Sequence, residues 1–297
     1  MFSLVFAAIC FGTLVQGMPS LVDLATQLNA TRLVALLKQS GLADSLKSGG
    51  PYTIIAPTDA AFAAIPAADM TKLNSDTAAL KNMLEYHVIQ GEIFGWDLSM
   101  GGRMVQTING HAIRVSESGN NIYFNNAKVL KIEKEATNGV IYLIDTVLDV
   151  PEGTILAVLQ KYNASMFLQA VHKIRYERML NHTYVGRHYT VFAPNDVAFN
   201  KLNKAQLDHI LQSSTYASEL VRYHIHSGNL HIRSLDHNGR ISTLYTGHRI
   251  GVDINNNDIR LNRVARLSQS DIECDNGVVH IIDHVLIPST LSGQIIG

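Results

Sequence analysis

Apolar residues fall into one order of patterns along this chain, and the same order occurs a second time. Leu24, Leu28, Leu33, Leu36, Leu37 and Leu42 lie close to a helical period and predict helix from Leu21 to Leu46. Gly41 and Gly49-Gly50 break that pattern. Tyr52-Thr53-Ile54-Ile55 is aromatic and β-branched, which predicts a buried strand. Pro57 has no N–H to give a ladder and ends it. Asp59 is then expected to cap a helix beginning near Ala60, with Phe62 plugging the core beneath. Thr71 to Val88 predicts another helix, with Leu73, Leu80, Met83, Leu84 and His87 on one face. Beyond Gly91 the period shortens. Ile113–Val115, Ile122–Phe124, Val129–Ile132 and Gly139–Leu148 read as strands between Gly, Asn and Ser.

The second occurrence is nearly in register. Tyr52 to Ile65 reads YTIIAPTDAAFAAI, and 137 residues later Tyr189 to Leu202 reads YTVFAPNDVAFNKL. Asp196 and Phe199 therefore repeat Asp59 and Phe62. Tyr86-His87 recurs as Tyr223-His224, and Asn125 as Asn262. One residue further out of step, Asn138-Gly139-Val140 and Asp145 recur as Asn276-Gly277-Val278 and Asp283. A period this long is not a solenoid but a duplicated domain. The expected division is a leader over 1–17, domains over 18–150 and 151–290, and a short tail over 291–297. Each half places helices first and a meander of short strands after them, an α+β order. Thr154 to Val171 predicts helix in the second half, and strands run from His231 to Leu286. Pro151-Glu152-Gly153 is a short link that limits the relative orientations of the halves.

Phe2 to Val15 is apolar, and Val15-Gln16-Gly17 resembles a cleavage site, so the start reads as a secretory signal. The apolar run is too short to span a bilayer comfortably, and no other stretch approaches that length. Three sequons, at Asn29, Asn163 and Asn181, agree with secretion and glycosylation. Cys10 falls in the leader and leaves Cys274 without an intramolecular partner. Such a thiol either pairs with another chain or is simply buried. The net charge is −1 and neither half is basic enough for nucleic acid.

The motif T-[IV]-[IF]-A-P-[TN]-D-x-A-F, a downstream Tyr-His and a final N-G-V-[IV]-x-[LI]-I-D-x-V-L together resemble the fasciclin domain. The resemblance runs from Leu21 to Pro288 in two copies. It implies a compact β-wedge or sandwich of short strands packed with several helices, in a secreted or surface-anchored adhesion protein. It also implies integrin-like cell-surface receptors or matrix proteins as partners. The family's Tyr-His adhesion motif falls on Tyr86-His87 and Tyr223-His224. The residues themselves equally fit a core pair with a hydrogen-bonded imidazole. A second adhesion motif of the family aligns with Gln269 to Glu273, where Asp271 and Ile272 match it. A loop carboxylate there either meets a receptor-bound metal or stays solvated.

No nucleophile elbow, phosphate-cradling glycine loop or metalloprotease helix motif occurs, so no enzymatic activity and no cofactor are expected. Asp145 and Asp283 interrupt an apolar run and are expected to accept backbone N–H bonds. Eleven of the 13 histidines lie beyond residue 151. His224, His226, His231, His237, His280 and His284 lack ligand spacing with Cys or carboxylates, so no metal is expected. His172, Lys173, Arg175 and Arg178, and separately Arg260, Arg263 and Arg266, could pair with acidic glycans or form an ordinary charged surface. The expected role is a secreted, non-enzymatic adhesion or matrix protein. The alternative is a soluble glycan-binding or carrier module.

Overall fold

The structure is a computed structural model and describes residues 18–98, 103–183, 187–256 and 258–291. The leader expected over 1–17 lies outside the described residues, as does most of the tail.

In the first half, helices α1 (Leu21–Gln27), α2 (Thr31–Gln39) and α3 (Ala43–Ser48) precede strand β1 (Tyr52–Pro57). Helices α4 (Asp59–Ala63), α5 (Ala67–Ser75) and α6 (Thr77–Tyr86) follow. Then come β2 (Val88–Gln90), the short α7 (Gly95–Leu98), β3 (Met104–Gln106), β4 (Ala112–Ser118), β5 (Asn121–Phe124), β6 (Ala127–Ala136) and β7 (Gly139–Ile144). The second half repeats the order. Its helices and first strand are α8 (Ile155–Lys161), α9 (Ser165–Lys173), α10 (Glu177–Asn181), β8 (Tyr189–Pro194), α11 (Asp196–Phe199), α12 (Lys204–Gln212) and α13 (Ser214–Tyr223). The remaining strands are β9 (Ile225–Ser227), β10 (Arg240–Ser242), β11 (Arg249–Asn255), β12 (Asp258–Leu261), β13 (Ala265–Cys274) and β14 (Gly277–Ile282).

Each half forms one seven-stranded sheet, ordered β2-β1-β7-β6-β5-β4-β3 and β9-β8-β14-β13-β12-β11-β10. The first strand lies parallel to the last, β1 to β7 and β8 to β14; every other pairing is antiparallel. A bridge between Ile89 and Thr107 ties β2 toward β3 and nearly closes the first sheet into a wedge. Central parallel strands are covered on both faces, which explains their unbroken apolar runs. Ile54, Ala56, Ile141 and Leu143 face the helices, while Ile55, Val140, Tyr142 and Ile144 face the interior of the wedge.

The long helical runs are shorter in the structure than their apolar spacing predicts. Leu21 to Leu46 is three helices, broken at Asn29, whose φ of 61° leaves the helical region, and at Gly41, φ 75°. Thr71 to Val88 is two helices and the start of β2. Asp76 separates the helices by accepting from Ala79 N at 2.9 Å and capping α6. Thr154 to Val171 is likewise α8 and α9, broken at Asn163, φ 54°.

Asp59 and Asp196 are not the caps of the helices they begin. Thr58 and Asn195 take that role, accepting from Ala61 N at 3.2 Å and Ala198 N at 2.8 Å. The Asp59 carboxylate instead accepts from Thr31 Oγ1 (2.6 Å) and Arg32 N (2.8 Å), serving the N-terminus of α2. Asp196 does the same for α9 through Ser165 Oγ (2.6 Å) and Met166 N (2.8 Å). A carboxylate at that end also complements the helix dipole. Neither Ala30 nor Ala164 can cap its own helix, so the cap comes from elsewhere in the chain.

Phe62 is 1% exposed and Phe199 0%. Phe62→Ala and Phe199→Ala should each cost about 3–5 kcal/mol, read as a shifted urea transition of the full chain at constant slope. A loss below about 1 kcal/mol would contradict the packing role of these rings.

Candidate functional site

The Tyr-His pairs lie inside the protein. Tyr86 and His224 are fully buried, and His87 and Tyr223 nearly so. At the end of α6, His87 Nδ1 donates to Met83 O at 2.8 Å, and its Nε2 accepts from Leu148 N at 3.0 Å. His224 repeats this with Leu220 O at 2.8 Å and Leu286 N at 3.0 Å. The tautomer follows from the partners, a carbonyl on one nitrogen and an N–H on the other. Each imidazole therefore ties a helix to the chain leaving the last strand. Tyr86 Oη donates to Ala112 O (3.2 Å) and accepts from Asn125 Nδ2 (2.9 Å), whose Oδ1 holds Arg114 N at 2.9 Å. Tyr223, Arg249, Asn262 and Gly251 repeat that network at 3.1, 2.9 and 2.8 Å. Side chains so enclosed cannot meet a receptor directly, which corrects the adhesion-motif expectation for Tyr86, His87, Tyr223 and His224.

Asp271 and Ile272 are also committed. Asp271 Oδ1 accepts from Ile232 N at 2.9 Å, and Ile272 is buried among the helices of the second half. Asp145 and Asp283 accept from Lys128 N (2.8 Å) and Arg266 N (2.7 Å), the role expected of them. They stand just past the ends of β7 and β14. Cys274 is buried, and burial pushes its thiol pKa up, which makes it unreactive. Asn29 and Asn163 are exposed at equivalent breaks between helices; Asn181 is exposed too, with its Oδ1 held by Thr154 Oγ1 at 2.9 Å. Among the basic clusters, Arg260 and Arg266 both pair with Asp258 (2.9 and 3.2 Å), and His172 pairs with Glu177 at 2.7 Å.

A polar junction between the halves has no counterpart in the sequence patterns. Arg233 of the second half grips Asp145 of the first with Nη2–Oδ2 at 2.8 Å and Nη1–Oδ1 at 3.2 Å, and also donates to Asn126 O. Burial opposes ionisation of Asp145, but Arg233, Lys128 N–H and Thr146 overcome it and hold the carboxyl below its usual range. His111 meets Asp275 at 2.8 Å. The link itself is pinned by Glu152 N to Glu273 O (3.0 Å) and Asp275 N to Gly153 O (2.9 Å). Behind it, His231 and Glu273 form a buried pair at 2.6 Å. Burial lowers the His231 pKa, but the Glu273 carboxylate outweighs it and raises the ring above its ordinary value.

Burial lowers His87 and His224 to about 4 despite the bonds they donate to the Met83 and Leu220 carbonyls. Burial and then Arg114 lower His188 to about 4. Burial also lowers His280, whose Nδ1 accepts from Asp271 N at 3.2 Å and whose ring stacks on Phe192. For these rings the unfolded chain, titrating near 6.5, takes up the proton first, so stability falls as pH drops from about 6.5 toward 4. For His87 and His224 the full loss is on the order of 3 kcal/mol each. His231 has the opposite sign: its contribution is complete below about 6.5 and is lost above its raised value. Three depressed rings lie in the second half and one in the first. Thermal unfolding of the full chain at pH 7 and pH 5, with limited proteolysis, should show a lower melting temperature at pH 5 and first cleavage in the second half. A melting temperature that rises, or first cleavage in the first half, would contradict this.

The fasciclin-domain model matches residues 28–151 and 162–288. Transforming growth factor-beta-induced protein ig-h3 of Sus scrofa is 28% identical over 271 residues, covering 91% of this chain and 38% of that protein. Periostin of Homo sapiens is 27% identical over 257 residues, covering 84% of this chain and 30% of that protein. This chain therefore spans about a third of the length of these two relatives. Immunogenic protein MPB70 of Mycobacterium bovis is 35% identical over 145 residues, covering 46% of this chain and 73% of that protein. A solved FAS1 domain pair from the insect cell adhesion molecule Fasciclin I covers 91% of this chain and 99% of that one, at 20% identity and a TM-score of 0.45. With both of its halves matched in tandem, the chain belongs to the fasciclin-domain family.

Proposed function

We propose that this chain is a secreted, non-enzymatic adhesion or matrix protein, each domain offering one surface to a cell-surface receptor of integrin type or to matrix. The observation that carries the reading is the tandem match, because one relative aligns across both domains over 91% of the chain. Two weak surfaces held at fixed spacing gain from effective concentration, so the pair binds where one domain would let go. The clamp between Arg233 and Asp145 supports such a fixed spacing. No helix among the described residues is long and apolar enough to cross a membrane. Exposure of Asn29, Asn163 and Asn181 is compatible with glycans at all three.

Since the Tyr-His side chains are enclosed, their part is to hold the surface around them, not to touch the partner. The glycan-binding alternative is weakened by the ion pairs that occupy Arg260, Arg266 and His172.

Protein purified from a eukaryotic secretory host, coated on a plate, should support attachment of integrin-bearing cells. Chelation of divalent cations should abolish attachment, and heparin should leave it intact. Attachment that survives chelation but is lost to heparin would replace this reading with the glycan one. No attachment under any condition would remove both.

A further inference from the structure

Because one fold occurs twice, every position in one domain has a control in the other. In the first domain, α4, α5, α6 and the chain leaving β7 enclose an apolar groove of about 590 Å³, within the range of small-molecule sites. Ala64, Ile65, Leu73, Ala79, Met83 and Val147 line it. In the second domain larger side chains stand at the corresponding places: Lys201 for Ala64, Tyr216 for Ala79, His284 for Thr146 and Ile287 for Asp149. Lys201 Nζ donates to Asp283 O at 2.7 Å, the Tyr216 ring meets His209 edge-on at 5.6 Å, and Ile287 packs against the core. The chain then continues over α13, where Thr290 Oγ1 meets Glu219, the counterpart of Asn82, at 3.4 Å, and Leu291 is buried. In the first domain the equivalent segment is Pro151-Glu152-Gly153, which leaves to join the second domain. Smaller residues and a missing cover leave the groove open.

One end of the groove carries a carboxylate with no partner. Asp149 makes no hydrogen bond or ion pair among the described residues, whereas Asp69, also on the lining, is paired with Lys72 at 3.4 Å. Asp149 is exposed on the rim of the groove, and the charges of Glu273, Asp271 and Glu152 act on it, with His231 the opposing cation. Desolvation by the surrounding chain first, and those carboxylates after it, raise its pKa to about 6, so it is ionised at neutral pH in a negative field that a cation would relieve. We propose that the first-domain groove binds an apolar small molecule bearing a cationic group, with its chain along Ile65, Leu73 and Met83 and its cation against Asp149.

The test is calorimetric titration of the full chain with dodecyltrimethylammonium, dodecyl sulfate and dodecyl maltoside, each below its micelle concentration. The cationic probe should bind at least tenfold tighter than the anionic one. Shortening its chain by two methylenes should weaken binding about tenfold. Ala79→Tyr installs the second domain's residue at an exposed helix position, so the variant should melt like the wild type and bind at least tenfold more weakly. Asp149→Asn should erase the preference for the cation while keeping the neutral probe. Lowering pH from 7.4 to 5 should weaken cationic binding in the wild type and not in Asp149→Asn. Failure of every probe to bind, equal binding of cation and anion, or unchanged binding by Ala79→Tyr would each overturn the proposal.

Discussion

Each domain depends on the parallel pairing of its first strand with its last. Parallel neighbours need a long crossover, so β1 and β7 can meet only after nearly the whole domain has been laid down between them. The approach is close. A Cβ on Gly139 would stand 1.9 Å from Tyr52 O, and one on Gly277 would stand 2.0 Å from Tyr189 O. A backbone carbonyl cannot be moved aside like a flexible side chain, so only glycine fits. The residues just before these glycines finish the joint. Asn138 Oδ1 accepts from Leu21 N at 2.9 Å, and its Nδ2 donates to Leu46 O and Gly49 O, both at 2.8 Å. Asn276 does the same for Ile155, Leu180 and His182. Thr53 and Thr190 lock the other side, donating to Gly91 O at 2.8 Å and Gly228 O at 2.7 Å. Tyr52, Thr53, Asn138 and Gly139 all recur, as Tyr189, Thr190, Asn276 and Gly277. Repetition in this chain therefore marks what the fold requires.

That explains what could be read from sequence. The double apolar strand, the Pro that ends it and the Phe beneath it are local patterns with one physical meaning each. The Asn-Gly-Val strand was equally plain. The breaks within the helical runs were less legible, because Asn29, Asp76 and Asn163 act through backbone conformation and capping and leave the leucine spacing undisturbed. Asp59 was assigned to the wrong helix for a related reason. Thr58 can do the local job, which frees Asp59 to serve α2, 28 residues earlier in sequence at Thr31. The junction of Arg233 with Asp145 leaves no pattern at all, since its partners lie 88 residues apart and share no period.

Function is then sought where the repeats differ. The recurring Tyr-His pairs are enclosed in the same networks in both domains. The differences are at Ala64 and Lys201, Ala79 and Tyr216, Asp149 and Ile287, and in the charges that meet across the link. A duplicated domain keeps its shared residues for folding and can vary the others in one copy while the other copy retains its packing.

The most direct test of this division is nuclear magnetic resonance of the imidazole nitrogens of His87 and His224 in the full chain. The account predicts that both rings stay neutral with the proton on Nδ1, and that both titrate near pH 4. Titration of either ring near its free value of about 6.5, or exchange between tautomers, would show an imidazole open to solvent and available to a partner, and would contradict it.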